Sequence, residues 1–295
     1  MKKLKYTFKT DTLFKMLFVQ HQDLLKAFVS TLLGISLESI ESFLVVNPEI
    51  QPENLGDKFC RLDIHMIVNG QRVDLEVQVN NEGDYPERVL LYWAKDFSSA
   101  LAAGQSYSML PRTIVISLVD FSLFDCSEYH SFFQILEVNR HTLLSDKMGL
   151  YFFELPKLPS EISNDNMLLL WLSLFKANTE EELEKIRALE VPVMNQALNA
   201  YDAITVSPEF REMERLRAKA RHDEAQALYH AEQKGIEKGI KRGIEKGIEK
   251  GIERGIEKGR QEEKLEMARK LKSMGLSLNQ ISQASGLSDS EIENL

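Results

Sequence analysis

Asp63 and Glu76 are two carboxylates with twelve residues between them, and midway stands Asn69-Gly70. That dipeptide suits a two-residue type I′ turn, whose central positions both need positive φ. Such a turn pairs Val68 with Gln71, Met66 with Val73, His65 with Asp74, Ile64 with Leu75 and Asp63 with Glu76, and sets Arg61 opposite Gln78. Side chains alternate along a strand. One face therefore carries Leu62, Ile64, Met66, Val73, Leu75, Val77 and Val79, an apolar set. The other carries Arg61, Asp63, His65, Asp74, Glu76 and Gln78, which is unusually polar for the middle of a domain.

His65 opposite Asp74 makes an ordinary pair. Asp63 opposite Glu76 does not, because like charges facing each other destabilise a sheet, with Cβ atoms about 4.5–5.5 Å apart. A proton on one carboxyl relieves the repulsion, and so does a hard cation. Mg²⁺ (or Mn²⁺) takes oxygen ligands from one or two carboxylates, waters and phosphate oxygens. Such an ion polarises a phosphodiester and acidifies an attacking water. Two alternatives are exposure of both acids to solvent, or pairing of each with Arg61 or Arg72. The spacing, the polar face and the helix that follows favour the cation.

The elements around this hairpin read as α/β. Residues 11–33 repeat leucine and phenylalanine at helical spacing, with Thr10 or Asp11 as N-cap. Short apolar or alternating runs at 42–46, 59–68, 71–79, 113–119, 132–138 and 150–155 read as strands. Asp84 with Glu87 resembles a capping box, Pro86 is tolerated in the first turn, and Val89, Leu90, Trp93, Phe97 and Leu101 supply a buried helical face. The chain divides into an α/β core over 1–160, a helical extension over 161–234, a repeat over 235–260 and a small helical tail over 261–295. Val191-Pro192 and Ser207-Pro208 mark helix starts in the extension. The repeat sets glycine at every fourth position from Gly235 to Gly259, with isoleucine after all but the last. Each glycine costs roughly 1 kcal/mol against alanine in a helix, so the expectation is a marginal helix or flexible linker, with close helix packing along the glycine stripe as the alternative. The tail has the outline of a helix-turn-helix, yet lacks the basic residues of a groove reader; docking to protein or capping of the helical end suits it better.

Composition limits the classes available. Among 295 residues, 43% are hydrophobic, and the longest apolar runs are far too short to cross a bilayer, so no membrane partner is expected. The N-terminus has no signal-peptide pattern, and two cysteines make neither a disulfide framework nor a zinc cage, which fits a cytoplasmic location. A net charge of −9 weighs against nucleic acid without excluding it, since a metal ion can meet the phosphate. His65 and His141 have no metal-ligand spacing and read as structural. No Gly-rich phosphate loop and no Ser/His/Asp arrangement stands out.

Asp63, twelve residues, then Glu76-Val77-Gln78 resembles the active-site hairpin of the PD-(D/E)XK nuclease superfamily, and more narrowly that of the Rpn family of recombination-promoting nucleases and transposases. Asp11-Thr12-Leu13-Phe14-Lys15, Arg88-Val89-Leu90-Leu91-Tyr92, Phe153-Glu154-Leu155-Pro156-Lys157, Trp171 and the GIEKG-type repeat extend the resemblance over most of the chain. It implies a restriction-endonuclease-like PD-(D/E)XK core with a C-terminal helical extension, and metal-dependent hydrolysis of DNA phosphodiesters. Asp63 and Glu76 would hold Mg²⁺, with the Val77 carbonyl as third ligand. Gln78 stands where the superfamily usually has lysine and the Rpn family has glutamine; it would position water or phosphate but brings neither positive charge nor a base. Arg88 and Tyr92, four apart on one helical face, would reach the scissile phosphate or else make a helix–sheet contact. Asp11 and Lys15 share a helical face and serve either as cap and surface charge or as accessory site residues. Rival readings are a non-catalytic DNA-binding or interaction module on a nuclease fold, and a homo-oligomeric scaffold built by repeat and tail.

Overall fold

The computed structural model describes residues 2–46, 49–50, 60–61 and 63–295. The chain forms two compact units, Met1–Leu216 and Arg217–Leu295.

In the first unit, α1 (Asp11–Gln20) and α2 (Gln22–Leu33) precede β1 (Phe43–Val46), and Gly34 at φ 66° caps α2 in the left-handed conformation. Then come β2 (Glu49–Ile50), β3 (Cys60–Arg61), β4 (Ile64–Val68), β5 (Gln71–Gln78), α3 (Tyr85–Ser99), β6 (Thr113–Val119), β7 (His130–Leu136) and β8 (Leu143–Glu154). Three helices follow, α4 (Met167–Lys176), α5 (Glu180–Arg187) and α6 (Pro192–Val206), with α7 (Pro208–Ser273) starting before the unit ends. Six strands make one mixed sheet in the order β1-β4-β5-β6-β8-β7, and β2 and β3 pair in a second, two-stranded one. β5 lies between an antiparallel partner, β4, and a parallel one, β6. A βαβ crossover through α3 produces the parallel pair.

The Asn69-Gly70 turn has φ of 50° and 76°, both positive as a type I′ turn requires, and the ladder runs from Val68↔Gln71 to Ile64↔Leu75 as read from the sequence. Asn69 does more than turn the chain. Its side-chain oxygen accepts the N–H groups of Glu41 and Ser42 and its amide donates to the Ser39 carbonyl, which ties the hairpin to the segment leading into β1.

The apolar side of the sheet (Ile64, Met66, Val73, Leu75, Ile114, Ile116, Leu118) packs against α1, α2 and α4–α6 in one continuous core. Phe28 is its hub, with ring centroids 4.9 Å from Trp171, 5.0 Å from Phe175 and 5.5 Å from Phe18. Rings of this size contribute roughly 1.5–3 kcal/mol each on burial, enough to hold α1 in a fixed orientation. α3 covers the opposite side, where Tyr85 and Val89 meet Val115, Val119, Leu150 and Phe152. Helices thus flank both sides of the sheet, a mixed α/β architecture that accords with the expected class.

Four expectations need correction. The run 59–68 is not one strand: Cys60–Arg61 pairs with Glu49–Ile50, Asp63 sits in a bend, and β4 starts at Ile64. The expected Leu62 position and the Arg61 side chain lie outside what is described. Val79 leaves the apolar face, since β5 ends at Gln78 and Val79 is exposed. Leu90 is also exposed; α3 instead buries Tyr85, Val89 and Asp96, and Asp84 makes no capping bond through its side chain. Helices start at Pro192 and Pro208 as expected.

Of the marginal helix or flexible linker expected for the repeat, the structure has a helix, part of the 66-residue α7. Ile236 to Ile256 in the repeat remain about half exposed, and a Cβ added at any repeat glycine would meet nothing within 4 Å. In the second unit α7 gives way to α8 (Leu278–Ser285) and α9 (Asp289–Glu293), with Ala268, Ile281, Leu287 and Ile292 forming a small separate core. Capping boxes at Ser277/Gln280 and Ser288/Glu291 start both short helices.

Candidate active site

Asp63 lies one residue beyond the end of the β4–β5 ladder, and two hydrogen bonds bind it to β5. The Asp63 N–H donates to Glu76 Oε1 at 3.0 Å, and the Val77 N–H donates to Asp63 Oδ2 at 2.8 Å. The two acids therefore meet across the hairpin, as the turn register demands. Glu76 is buried and the Asp63 side chain is 19% exposed. Ser117 lies beside Glu76 in the parallel register with β6.

Burial is the main cause of the electrostatics here. It pushes the Glu76 carboxyl well above its ordinary range, and the nearby Asp63 charge pushes it further. Burial also raises Asp63, opposed by the Val77 N–H and by Lys15. Lys15 Nζ is 2.7 Å from Asp11 Oδ1 and 3.4 Å from Asp63 Oδ1, so α1 brings an acid and a cation to the pair. The Lys15 side chain is 21% exposed and reaches both Asp11 and Asp63.

The remaining expected residues are spread around this centre. The Gln78 amide donates to the Asn80 carbonyl at 2.7 Å. Arg88 Nη1 donates to Glu82 Oε2 at 3.1 Å, and its guanidinium lies over the Tyr85 ring, 5.0 Å from the centroid. Tyr92 is half-buried one turn further along α3. Val77 contributes its N–H to Asp63 and lies half-buried between Glu76 and Gln78. Arg72, one of the suggested partners for the acids, is committed elsewhere, to Asp96 and Ser99.

Sequence reasoning missed Tyr85. Its phenol is buried, and both burial and the Glu76 charge disfavour its ionisation. Asp96 was also missed, because an acid in the last turns of an amphipathic helix reads as solvent-facing. It lies with His65 and Asp74 beneath α3, on the polar side of the same two strands. His65 Nδ1 and Asp74 Oδ1 are hydrogen-bonded, as the register implied. Burial pushes Asp74 up to about 6, opposed by that bond.

The arrangement can hold a hard cation. Two adjacent carboxylates with raised pKa, one of them sealed from water, supply the all-oxygen donor set that Mg²⁺ prefers. The model for the PD-(D/E)XK nuclease family transposase matches residues 8–231, which contain every residue of this site. The chain belongs to that family. No curated protein and no solved structure matches it. Among the described residues no helix is long and apolar enough to cross a membrane.

Proposed function

We propose that this chain is a divalent-metal-dependent DNA endonuclease that promotes recombination or the movement of mobile elements. The observation that carries the reading is the meeting of Asp63 and Glu76, locked by hydrogen bonds from the Asp63 N–H to Glu76 and from the Val77 N–H to Asp63, in a setting that disfavours two bare negative charges. Asp63, Glu76 and the Val77 carbonyl would hold Mg²⁺ or Mn²⁺. Bound there, the ion polarises the scissile phosphate and acidifies the attacking water.

The chain's own residues do the rest. The hairpin fixes both carboxylates before substrate arrives, so little reorganisation is needed at the moment of reaction. Lys15 supplies the positive charge that Gln78 lacks, and from Asp63 it lies within reach of a phosphate oxygen. Gln78 orients water or phosphate through its amide. Arg88 and Tyr92 line the approach along α3, where Arg88 can exchange the exposed Glu82 for a phosphate oxygen.

Mg²⁺-dependent nicking of supercoiled plasmid tests the reading. Asp63→Ala and Glu76→Ala proteins that retain their circular dichroism should lose it, and equal residual activity in both would assign the nicking to a contaminant. Gln78 supports a second reading, a DNA-binding module on a nuclease fold. Its mark would be DNA retention by the wild-type chain with no Mg²⁺-dependent cleavage.

A further inference from the structure

We propose that β7, with the hairpin it forms with β8, is the surface through which two copies of this chain join edge to edge. β7 is the last strand of the six-stranded sheet, so its outer side has no neighbouring strand among the described residues. β6 pairs with β8 only over residues 148–154, which leaves residues 143–147 and the facing end of β7 beyond the rest of the sheet.

Open edges in folded proteins are normally blunted by charge, proline or a bulge. β7 reads His-Ser-Phe-Phe-Gln-Ile-Leu, with no proline, lysine or acid. The irregularity of this pair falls on the inner strand. From Phe133 to Ile135 β7 advances two residues while β8 runs five, from Leu150 to Ser145. The Glu154 N–H donates to the Tyr129 carbonyl and the Glu137 N–H to the Thr142 carbonyl, so Tyr129 and Glu137 turn their backbone groups inward. Alternation along the strand sends those of His130, Phe132, Gln134 and Leu136 outward, as a row of open donors and acceptors.

The side chains add area. Phe132, Phe133, Ile135, Leu136 and Leu143 are 37–44% exposed, Val138 is 82% exposed and Leu144 76%. Together they bare roughly 600 Å² per chain, the upper end of the apolar patch that a monomer usually keeps. Two copies offer roughly 1,200 Å² before the paired backbone is added, which reaches the range of stable interfaces. The rings are already set. Phe132 lies 4.3 Å from Tyr151 and Phe133 5.1 Å from Phe124, between ring centroids, on opposite faces of the sheet. Docking therefore costs little side-chain freedom.

The edge is suited to its own copy. An antiparallel row is complementary to itself under two-fold rotation. Centred on Phe133, that rotation sets Phe133 against its counterpart in a close pair, Phe132 against Gln134 and His130 against Leu136, and no like charges meet. Over residues 130–147, Glu137 and Asp146 balance Arg140 and Lys147, whereas the whole chain carries −9. Two copies thus meet where neither is charged, and a neutral apolar arm does not attract a phosphate backbone.

Sedimentation of the full chain at micromolar concentration tests this, with a dimer expected. Gln134→Pro removes an outward N–H and spares the hydrogen bonds to β8, and Leu136→Lys puts a charge on the outer row. Each should weaken the dimer tenfold or more in a protein with native circular dichroism. Amide exchange of the unsubstituted chain supplies a second measurement, in which the Phe132 and Gln134 amides should slow tenfold or more from dilute to concentrated samples. A chain that sediments as a monomer, a dimer that survives both substitutions, or exchange at these amides that ignores concentration would overturn the proposal. None of these outcomes depends on DNA cleavage, so this inference and the nuclease reading fail separately.

Discussion

Two clusters of acid lie on the same side of the same hairpin, yet the protein has equipped them differently. Asp74 and Asp96 have an arginine and a histidine as neighbours and are shut beneath a helix. Asp63 and Glu76 have each other, two backbone amides and one lysine on a flexible stem, and the Asp63 side chain is partly exposed. Burial alone therefore does not distinguish the two clusters. What matters is how much of the compensating charge the fold supplies itself, because the shortfall is what an exchangeable ion can fill.

That contrast can be broken by substitution. Asp63→Ala or Glu76→Ala should lower plasmid nicking on the order of 10³-fold, the scale set by losing a preorganised electrostatic group, while urea unfolding moves little. Arg72→Ala should do the opposite: it strands buried Asp96, at about 3–5 kcal/mol of stability, with nicking by the folded fraction largely kept. Equal effects of both changes on both measurements would erase the distinction drawn between the clusters.

Lys15→Gln should reduce kcat roughly ten- to hundredfold with KM less affected, and Lys15→Arg should recover part of it. A change confined to KM would make Lys15 a general phosphate contact rather than a member of the site. The smallest effect is on the resting protein. Glu76 has a folded pKa above its unfolded value, so in chelator the unfolded chain loses this proton first as pH rises. Stability from this group is present below the ordinary carboxylate pKa and is lost as pH climbs from there through the raised value. Glu76→Gln removes the penalty and should raise Tm near pH 7 in chelator, by about 2–4 °C for each kcal/mol recovered. Differential scanning calorimetry with and without Mg²⁺ checks this, and a Tm lowered by Glu76→Gln in chelator would contradict it.

Much of the site was legible because one dipeptide sets a register. Asn69-Gly70 dictates which residues face each other, and the pairing of His65 with Asp74 and the meeting of Asp63 with Glu76 follow by counting. X-Pro steps marked α6 and α7 for the same local reason. The failures are tertiary. Nothing near Asp96 in the chain shows that it is buried against His65 and Arg72, which are 31 and 24 positions away. Leu90 looked like core because helical periodicity cannot say how wide the buried stripe is. The break before Asp63 escaped notice because an alternating pattern does not register a strand changing partners. In the repeat, the glycine penalty left a marginal helix and a flexible linker both open, and a helix runs through it.

The setting of β5 bears on how such a nuclease can drift in sequence. β5 is hemmed between two ladders of opposite sense, and a shift of its register by one position would send Glu76 to the apolar side and break pairing with both neighbouring strands. An acid so confined has nowhere to migrate. A positive charge at the tip of four methylenes is under no such restriction and can be delivered from any backbone within reach. Lys15 on α1, rather than position 78, is the cation that stands beside the pair.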